Sequence, residues 1–229
     1  MARKPRRKPA AQTTARAAKS ERERVIEAFM ALLAEKPFER IGFAEIAQRA
    51  RVSLAELRGL FGSTLAILAA QVKETDRAVL AGADADMAEE PPRERLLAVL
   101  MGRWELLEPH KAAVRALQRS AARNPGLALA LNGIGVRSQQ WMLAAADIGS
   151  AGPRGMLRAQ GLALLFASVL HTWVDDDDPG HARTMAALDR ALARGQRWSG
   201  VLDEARRLSA CVGSRRRRRD RSGEQSAAA

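Results

Sequence analysis

The side chains best suited to chemistry lie in one short segment, residues 49–64. Arg49 and Arg51 come just before Ser53, and Arg58 follows it. A guanidinium group can pair with a phosphate or donate two hydrogen bonds to the edge of a guanine, and a hydroxyl can bind a phosphate oxygen. These residue types favour contact with nucleic acid over catalysis.

A run of acids later in the chain could be read as a metal site. Asp175 to Asp178 are four consecutive aspartates, with His171 before them and His181 after them. The run lacks the spaced ligands and the glycine of a calcium loop. The simpler interpretation is that Asp178 caps the next helix and Pro179 takes its first position, so we expect no metal.

No set of residues predicts catalysis. The single cysteine, Cys211, has no neighbouring base in the sequence. Ser53 and Ser63 are explained as helix caps, and no glycine-rich phosphate loop follows a strand pattern. We therefore expect no enzyme activity and no cofactor.

The apolar residues around the arginine-rich segment predict a short helix just before it. Their spacing is the i, i+3, i+4, i+7 pattern that places side chains on one helix face, and we expect that face to be buried. The residues of this face are Phe43, Ile46, Ala47 and Ala50.

A second short helix follows after a tight turn. Ser53 and Glu56 have the spacing of a capping box, which marks a helix start. The apolar residues at helical spacing are Leu54, Leu57 and Phe61. Gly62 ends the pattern, and Ser63 or Thr64 then caps a longer helix that continues to Ala81. Together the two short helices predict a helix-turn-helix.

A helix-turn-helix places its second helix in the major groove, which fixes the expected contacts. The side chains expected to face the groove are Ser53, Leu54, Ala55 and Arg58. The side chains expected near phosphates are Arg49, Arg51 and Thr64.

The segment resembles the helix-turn-helix of the TetR family of bacterial regulators. The positions that match are Ile46-Ala47, Val52-Ser53, Leu57, Phe61 and Ser63. Four positions differ: Arg51 replaces the turn glycine, Arg58 a tyrosine, Leu60 a histidine or tyrosine, and Thr64 a lysine. Ile41-Gly42 also stand where the family usually has a threonine or serine that reaches a phosphate. The matching half of the motif is the half that packs.

The resemblance implies an architecture and two alternative functions. The fold would be all-α, with an N-terminal helix-turn-helix domain and a C-terminal helical body for ligand binding and dimerisation. The first function is a dimeric regulator of double-stranded DNA that responds to a small apolar ligand. The chain also resembles the TetR-fold lipid-binding proteins of ubiquinone biosynthesis, whose helix-turn-helix is structural, so a lipid carrier is the alternative.

Composition agrees with a helical protein large enough for two abutting domains. The 229 residues are 47% hydrophobic and include no tyrosine. With one cysteine, no internal disulfide can form. We expect a cytoplasmic protein, because neither a signal-peptide pattern nor a run long enough to span a membrane is present.

Most of the net charge of +12 lies in the two tails. Residues 1–19 carry seven basic groups and no acid, and residues 214–229 carry six arginines and two acids. We expect a disordered basic arm at 1–19 and a disordered arginine-rich tail at 211–229. The first arm could lie along DNA phosphates or could be only a solubilising tail.

The remaining residues divide at an acidic, proline-containing stretch, residues 82–92. We expect residues 20–81 to form the helix-turn-helix domain with its connecting helix and residues 92–210 to form the body. Within the body, Pro153 to Val174 reads as a helix that is apolar on nearly all faces. Such a helix must lie at the centre of the body or against a second copy, and we favour a homodimer formed through this helix and the one after it.

Large apolar side chains in the body could line a ligand cavity, although core packing is the simpler role for each one. They are Met101, Trp104, Trp141, Met142, Phe166 and Trp173. Residues 196–208 have one apolar helix face followed by five arginines. This helix could touch a membrane surface, but packing on the body is the simpler expectation.

Overall fold

A computed structural model describes residues 19–82, 89–178 and 180–195. This part of the chain contains helices and turns and no β-strand. The helices are α1 (Glu21–Glu35), α2 (Phe43–Ala50), α3 (Leu54–Leu60), α4 (Thr64–Ala81), α5 (Pro92–Leu107), α6 (Lys111–Arg123), α7 (Pro125–Ala145), α8 (Gly152–Trp173) and α9, whose described residues are 182–195. The predicted all-α class is confirmed.

Helix α1 begins at a capping box and packs behind the helix-turn-helix. The Glu23 amide donates to Ser20 Oγ at 3.2 Å, and the Ser20 amide donates to Glu23 Oε2 at 2.8 Å. Val25, Phe29 and Leu33 on its inner face are fully buried. They form one hydrophobic core with residues of α2, α3, the first half of α4 and Ala113 of α6. The two helices of the helix-turn-helix therefore pack on this core.

The predicted buried face of α2 is confirmed at three of its four positions. Ile46, Ala47 and Ala50 are buried, but the Phe43 side chain is 46% exposed, so the prediction for Phe43 is wrong. Phe43 is the first residue of α2, whereas the three buried residues lie in its later turns.

Helices α5 to α9 enclose a second core, to which α4 contributes Val79. A 3-10 turn, Glu108–His110, joins α5 to α6, and Pro109 lies in this turn. Helix α7 begins at Pro125, and the Asn124 side chain caps it by accepting a hydrogen bond from the Leu127 amide at 3.0 Å.

The aspartate run connects α8 to α9 through hydrogen bonds. Asp178 accepts from the Ala182 amide at 3.2 Å and so satisfies the first amide of α9, but α9 begins at 182, so the prediction that Asp178 stands directly before the helix is wrong; Pro179 lies outside the described residues. Asp176 is fully buried and accepts from both the amide and the hydroxyl of Thr184, at 2.8 and 2.7 Å. Burial raises the pKa of Asp176, but these bonds outweigh it and hold the pKa below its ordinary value. Asp176 and Asp178 thus bind amide and hydroxyl groups of the chain itself. Among the described residues there is no group of ligands suited to a metal ion.

Helix α8 buries one side against the body and leaves an apolar stripe uncovered. Leu157 is 58% exposed and Leu164 is 60% exposed in the single chain. Within the single chain α8 is therefore not covered on all faces, so the predicted place at the centre of the body is wrong, and burial against a second copy stays a prediction. Among the described residues, no helix has the length and apolar character needed to cross a membrane.

Candidate nucleic-acid interface and ligand groove

Helix α3 presents one side to the core and the other to solvent. Leu57 is buried beneath the helix, while Ala55 and Arg58 are exposed and Leu54 is 55% exposed. With Ser53, these are the four side chains that the sequence predicted for the major groove. The structure brings them together on one accessible surface, which we call the α3 face.

The start of α3 is fixed by the predicted capping box. The Glu56 amide donates to Ser53 Oγ at 3.1 Å, and the Ser53 amide donates to Glu56 Oε2 at 2.6 Å. The bonds from the Ser53 amide and hydroxyl hold the pKa of Glu56 below its ordinary value. The α3 face is therefore held in a defined orientation before any partner binds.

The turn between α2 and α3 needs a backbone conformation that favours glycine, the residue that Arg51 replaces relative to the helix-turn-helix that this segment resembles. Arg51 has φ 55° and ψ 49°, the left-handed conformation, and closes the last turn of α2. Residues other than glycine, asparagine and aspartate rarely adopt this backbone conformation. Arg51 thus has a strained backbone and an exposed side chain, next to the start of the α3 face.

Replacing Arg51 with glycine should stabilise the fold. Arg51→Gly relieves the left-handed strain, partly offset by a more flexible unfolded chain, and should raise the free energy of unfolding by about 0.5–1 kcal/mol. Arg40→Gly is a matched control, since Arg40 lies in a 3-10 helix and has no positive φ. Urea unfolding compares the two, and an Arg51→Gly variant less stable than the native protein would show that the turn is unstrained.

Arg49, predicted near a phosphate, is already paired. Its Nη1 and Nη2 donate to the two carboxylate oxygens of Glu35 at 2.6 and 2.5 Å. This two-point hydrogen bond lowers the pKa of Glu35 and raises that of Arg49. Contact with DNA would require Arg49 to exchange this partner for a phosphate.

Of the other cations in the helix-turn-helix domain, some contact a carboxylate or an aromatic ring and others form no ion pair. Lys36 pairs with Glu45, and the Arg22 guanidinium lies 4.9 Å from the centre of the Phe61 ring. Within the described part of the chain, Arg40, Arg51 and Arg58 form no ion pair, and all three are exposed. Sequence reasoning missed Arg40, which lies at the end of the 3-10 helix Phe38–Arg40, just ahead of α2. Thr64, the first residue of α4, is half-buried.

Most of the predicted ligand-pocket residues pack against one another in the body core. The ring centres of Trp104 and Phe166 are 4.3 Å apart with planes at 4°, and those of Trp104 and Trp173 are 5.4 Å apart. Arg103 lies over Phe166 at 5.3 Å, and Lys111 lies over Trp173 at 5.4 Å. Met101 and Met142 belong to the same core. The rings form a column in the order Phe166, Trp104 and Trp173, and each outer ring also contacts a cation.

Trp141 lies apart from this column. It is 61% exposed and lines an open groove of about 510 Å³ between α4 and α7. The lining residues are Ala69, Val72, Lys73, Asp76, Arg77, Leu80, Ile134, Arg137, Ser138 and Trp141. The six residues predicted for one pocket are therefore divided between a packed core and this groove.

A buried ion pair lies beneath the groove. Asp76 Oδ1 accepts from Arg103 and from the Ser138 hydroxyl, the latter at 2.8 Å. Arg103 is only 4% exposed and comes from α5, while Asp76 belongs to α4 and Ser138 to α7. The Asp76 carboxylate thus joins the connecting helix to two helices of the body.

Solved structures of low sequence identity share the fold of this chain. A TetR transcriptional regulator from Nitrosomonas europaea is 20% identical and superposes with a TM-score of 0.60, over 77% of this chain and 98% of that one. Regulators of the same kind from Rhodococcus are 23% identical with a TM-score of 0.50, over 75% and 96%, and 17% identical with 0.52, over 76% and 100%. No protein-family model and no curated protein matches the sequence. The chain adopts the TetR fold.

Proposed function

We propose that this protein is a dimeric transcriptional regulator that binds double-stranded DNA through the α3 face. The observation that carries the proposal is the exposure of Leu54, Ala55 and Arg58 on a short helix fixed by a capping box over a buried core. A helix so placed can enter the major groove, where an arginine can pair with guanine and small apolar groups can meet thymine methyls. The structural neighbours with this fold are named as transcriptional regulators, which favours a regulator over a lipid carrier.

The charges around the α3 face support a contact with DNA phosphates. Arg40 and Arg51 are exposed and free of carboxylate partners in the described region. Residues 1–18 of the basic arm lie outside the described residues, and they carry six of its seven positive charges, ahead of α1 in the sequence. Positive groups of this kind supply affinity that is independent of sequence, while the α3 face would supply the sequence preference.

Selection of bound duplexes from a random-sequence pool at moderate salt tests the proposal. A two-fold dimer presents two α3 faces, so the selected sequences should contain an inverted repeat with half-sites about one helical turn, or a multiple of it, apart. Enrichment of no sequence would contradict the proposal. Enrichment of a single half-site would contradict its dimeric part.

The uncovered stripe on α8 supports dimerisation. Leu157 and Leu164 are seven positions apart, which places both on one side of α8, where a second copy would bury this strip. We expect sedimentation of a dimer at micromolar concentration and of a monomer after Leu164→Arg. Leu106→Arg is the matched control, because Leu106 is an exposed apolar residue on α5. A native monomer, or equal dissociation by both substitutions, would show that this strip is not the interface.

A further inference from the structure

We propose that a groove where the helix-turn-helix domain meets the body binds a small organic phosphate. This junction groove is lined by residues 34–37 and 39 on one side and by residues 116, 119–120 and 123–125 on the other. The first side is the end of α1 with the 3-10 helix after it, and the second is the end of α6 with the start of α7. The groove is separate from the α3 face, and binding there does not depend on DNA.

The base of the junction groove holds a hydroxyl group that is only half used. Ser120 is 4% exposed, and its Oγ accepts from the Phe38 amide at 3.1 Å, which ties the two sides of the groove together. A serine hydroxyl can also donate one hydrogen bond, and among the described residues its proton has no acceptor. A phosphate oxygen in the groove, whose volume of about 640 Å³ lies within the range of small-molecule sites, would supply that acceptor.

Three arginines follow one another at four-residue intervals along α6, a spacing that places them on one side of the helix. The first, Arg115, is satisfied within the chain, because it donates to the Val174 carbonyl and lies 3.4 Å from a carboxylate oxygen of Asp175. The other two, Arg119 and Arg123, are exposed, line the groove and form no ion pair within the described ranges. Like charges one helical turn apart repel each other, and an anion between them removes this repulsion.

The remaining charges of the lining leave the junction groove positive. Glu35 is neutralised by two hydrogen bonds from Arg49, and Lys36 is neutralised by Glu45. Glu39 is the other acid of the lining, and it is exposed and pairs with no cation in the described part of the chain. Two arginines therefore stand against one glutamate, which favours an anionic ligand.

The chemistry of the lining favours a phosphate attached to an organic group. A guanidinium matches a phosphate with two parallel hydrogen bonds, and a phosphate monoester carries a charge of about −1.5 to −2 near pH 7, enough for two arginines. Helix α7, which has 21 residues, begins at the groove, so its positive end adds to the attraction. Pro37, Ala116 and Pro125 provide apolar atoms that the organic part can contact.

Calorimetric titration of the full chain with phenyl phosphate and with phenol, at constant ionic strength, tests the proposal. The two probes share a ring and differ in the phosphate. We expect phenyl phosphate to bind once per chain and phenol to show no binding. Arg119→Ala and Arg123→Ala should each weaken binding by about fivefold, and both side chains are exposed, so folding should be unaffected. Glu39→Gln should tighten binding by about twofold, because it removes the unpaired acid.

A matched control separates the junction groove from the general surface. Arg190→Ala removes an exposed arginine of α9 that does not line the groove, and it should leave binding unchanged. No binding of phenyl phosphate, or equal weakening by Arg119→Ala and Arg190→Ala, would overturn the proposal.

Titration of the double variant Arg119→Ala/Arg123→Ala with a DNA duplex distinguishes a small phosphate from the phosphates of DNA. We expect native affinity for the duplex. Weaker binding of the duplex with unchanged binding of phenyl phosphate would place the two arginines on DNA and overturn the proposal. Phenyl phosphate binding by a protein that selects no DNA would support the junction groove and refute the proposed function.

Discussion

Asp76→Ala should lower the free energy of unfolding by about 3–5 kcal/mol, because it leaves a buried positive charge without its partner. Arg103 is almost wholly shielded from water, and Asp76 is its carboxylate partner in the structure. The substitution also deprives the Ser138 hydroxyl of its acceptor. Urea unfolding at one protein concentration, followed by circular dichroism, measures the loss.

Glu74→Ala is the matched control for this prediction. Glu74 precedes Asp76 on α4 and pairs with Arg77 on the surface, so its loss should cost less than about 1 kcal/mol. If Asp76→Ala prevents folding, the double variant Asp76→Leu/Arg103→Met should restore a folded protein, since it removes both charges together. Equal costs for Asp76→Ala and Glu74→Ala would mean that the carboxylate is not buried against Arg103.

Deleting residues 2–18 should produce the largest change in DNA binding. The deleted segment holds six basic residues and no acid, whereas Lys19 already pairs with Glu27 and remains. Each phosphate neutralised contributes about −0.9 to the slope of log affinity against log salt. If four of the six charges contact phosphates, the slope should become less steep by about 3–4, with a loss of affinity of at least about tenfold near physiological salt. Fluorescence anisotropy across a salt series measures both.

A second deletion distinguishes the arm's position from its charge. Removing residues 214–229 takes away six arginines and two acids, a comparable net charge at the other end of the chain. We expect this deletion to leave the slope nearly unchanged. Equal slopes for the N-terminal deletion and the native chain would show that the arm only adds solubility.

Local signals in the sequence predicted the helix-turn-helix well. Ser53 and Glu56 are close neighbours along the chain, so their spacing was enough to predict the capping box that the structure shows. Ile46 and Leu57 were placed in the core by helical periodicity for the same reason. The fold followed from these short-range patterns and from the resemblance they supported.

Contacts between residues far apart in the sequence could not be predicted from such patterns. Asp76 and Arg103 are 27 positions apart, and nothing in either neighbourhood indicates that α4 and α5 bring them together. Arg49 seemed free for DNA because Glu35 lies on a different helix. Trp104 and Trp141 looked equivalent in the sequence, yet packing between helices buries the first and leaves the second in a groove.

The claim that the α3 face reads DNA is tested most directly by titrating the selected duplex, and its single-base variants, with native protein and with Arg58→Ala. Arg58 is exposed and unpaired among the described residues, so its loss should not affect folding. On a base edge, the loss should cost about 1–3 kcal/mol of binding and relax preference at one position of each half-site. Arg183→Ala, an exposed arginine on α9, should change neither quantity. If Arg58→Ala binds with native affinity and native preference, α3 is not the recognition helix.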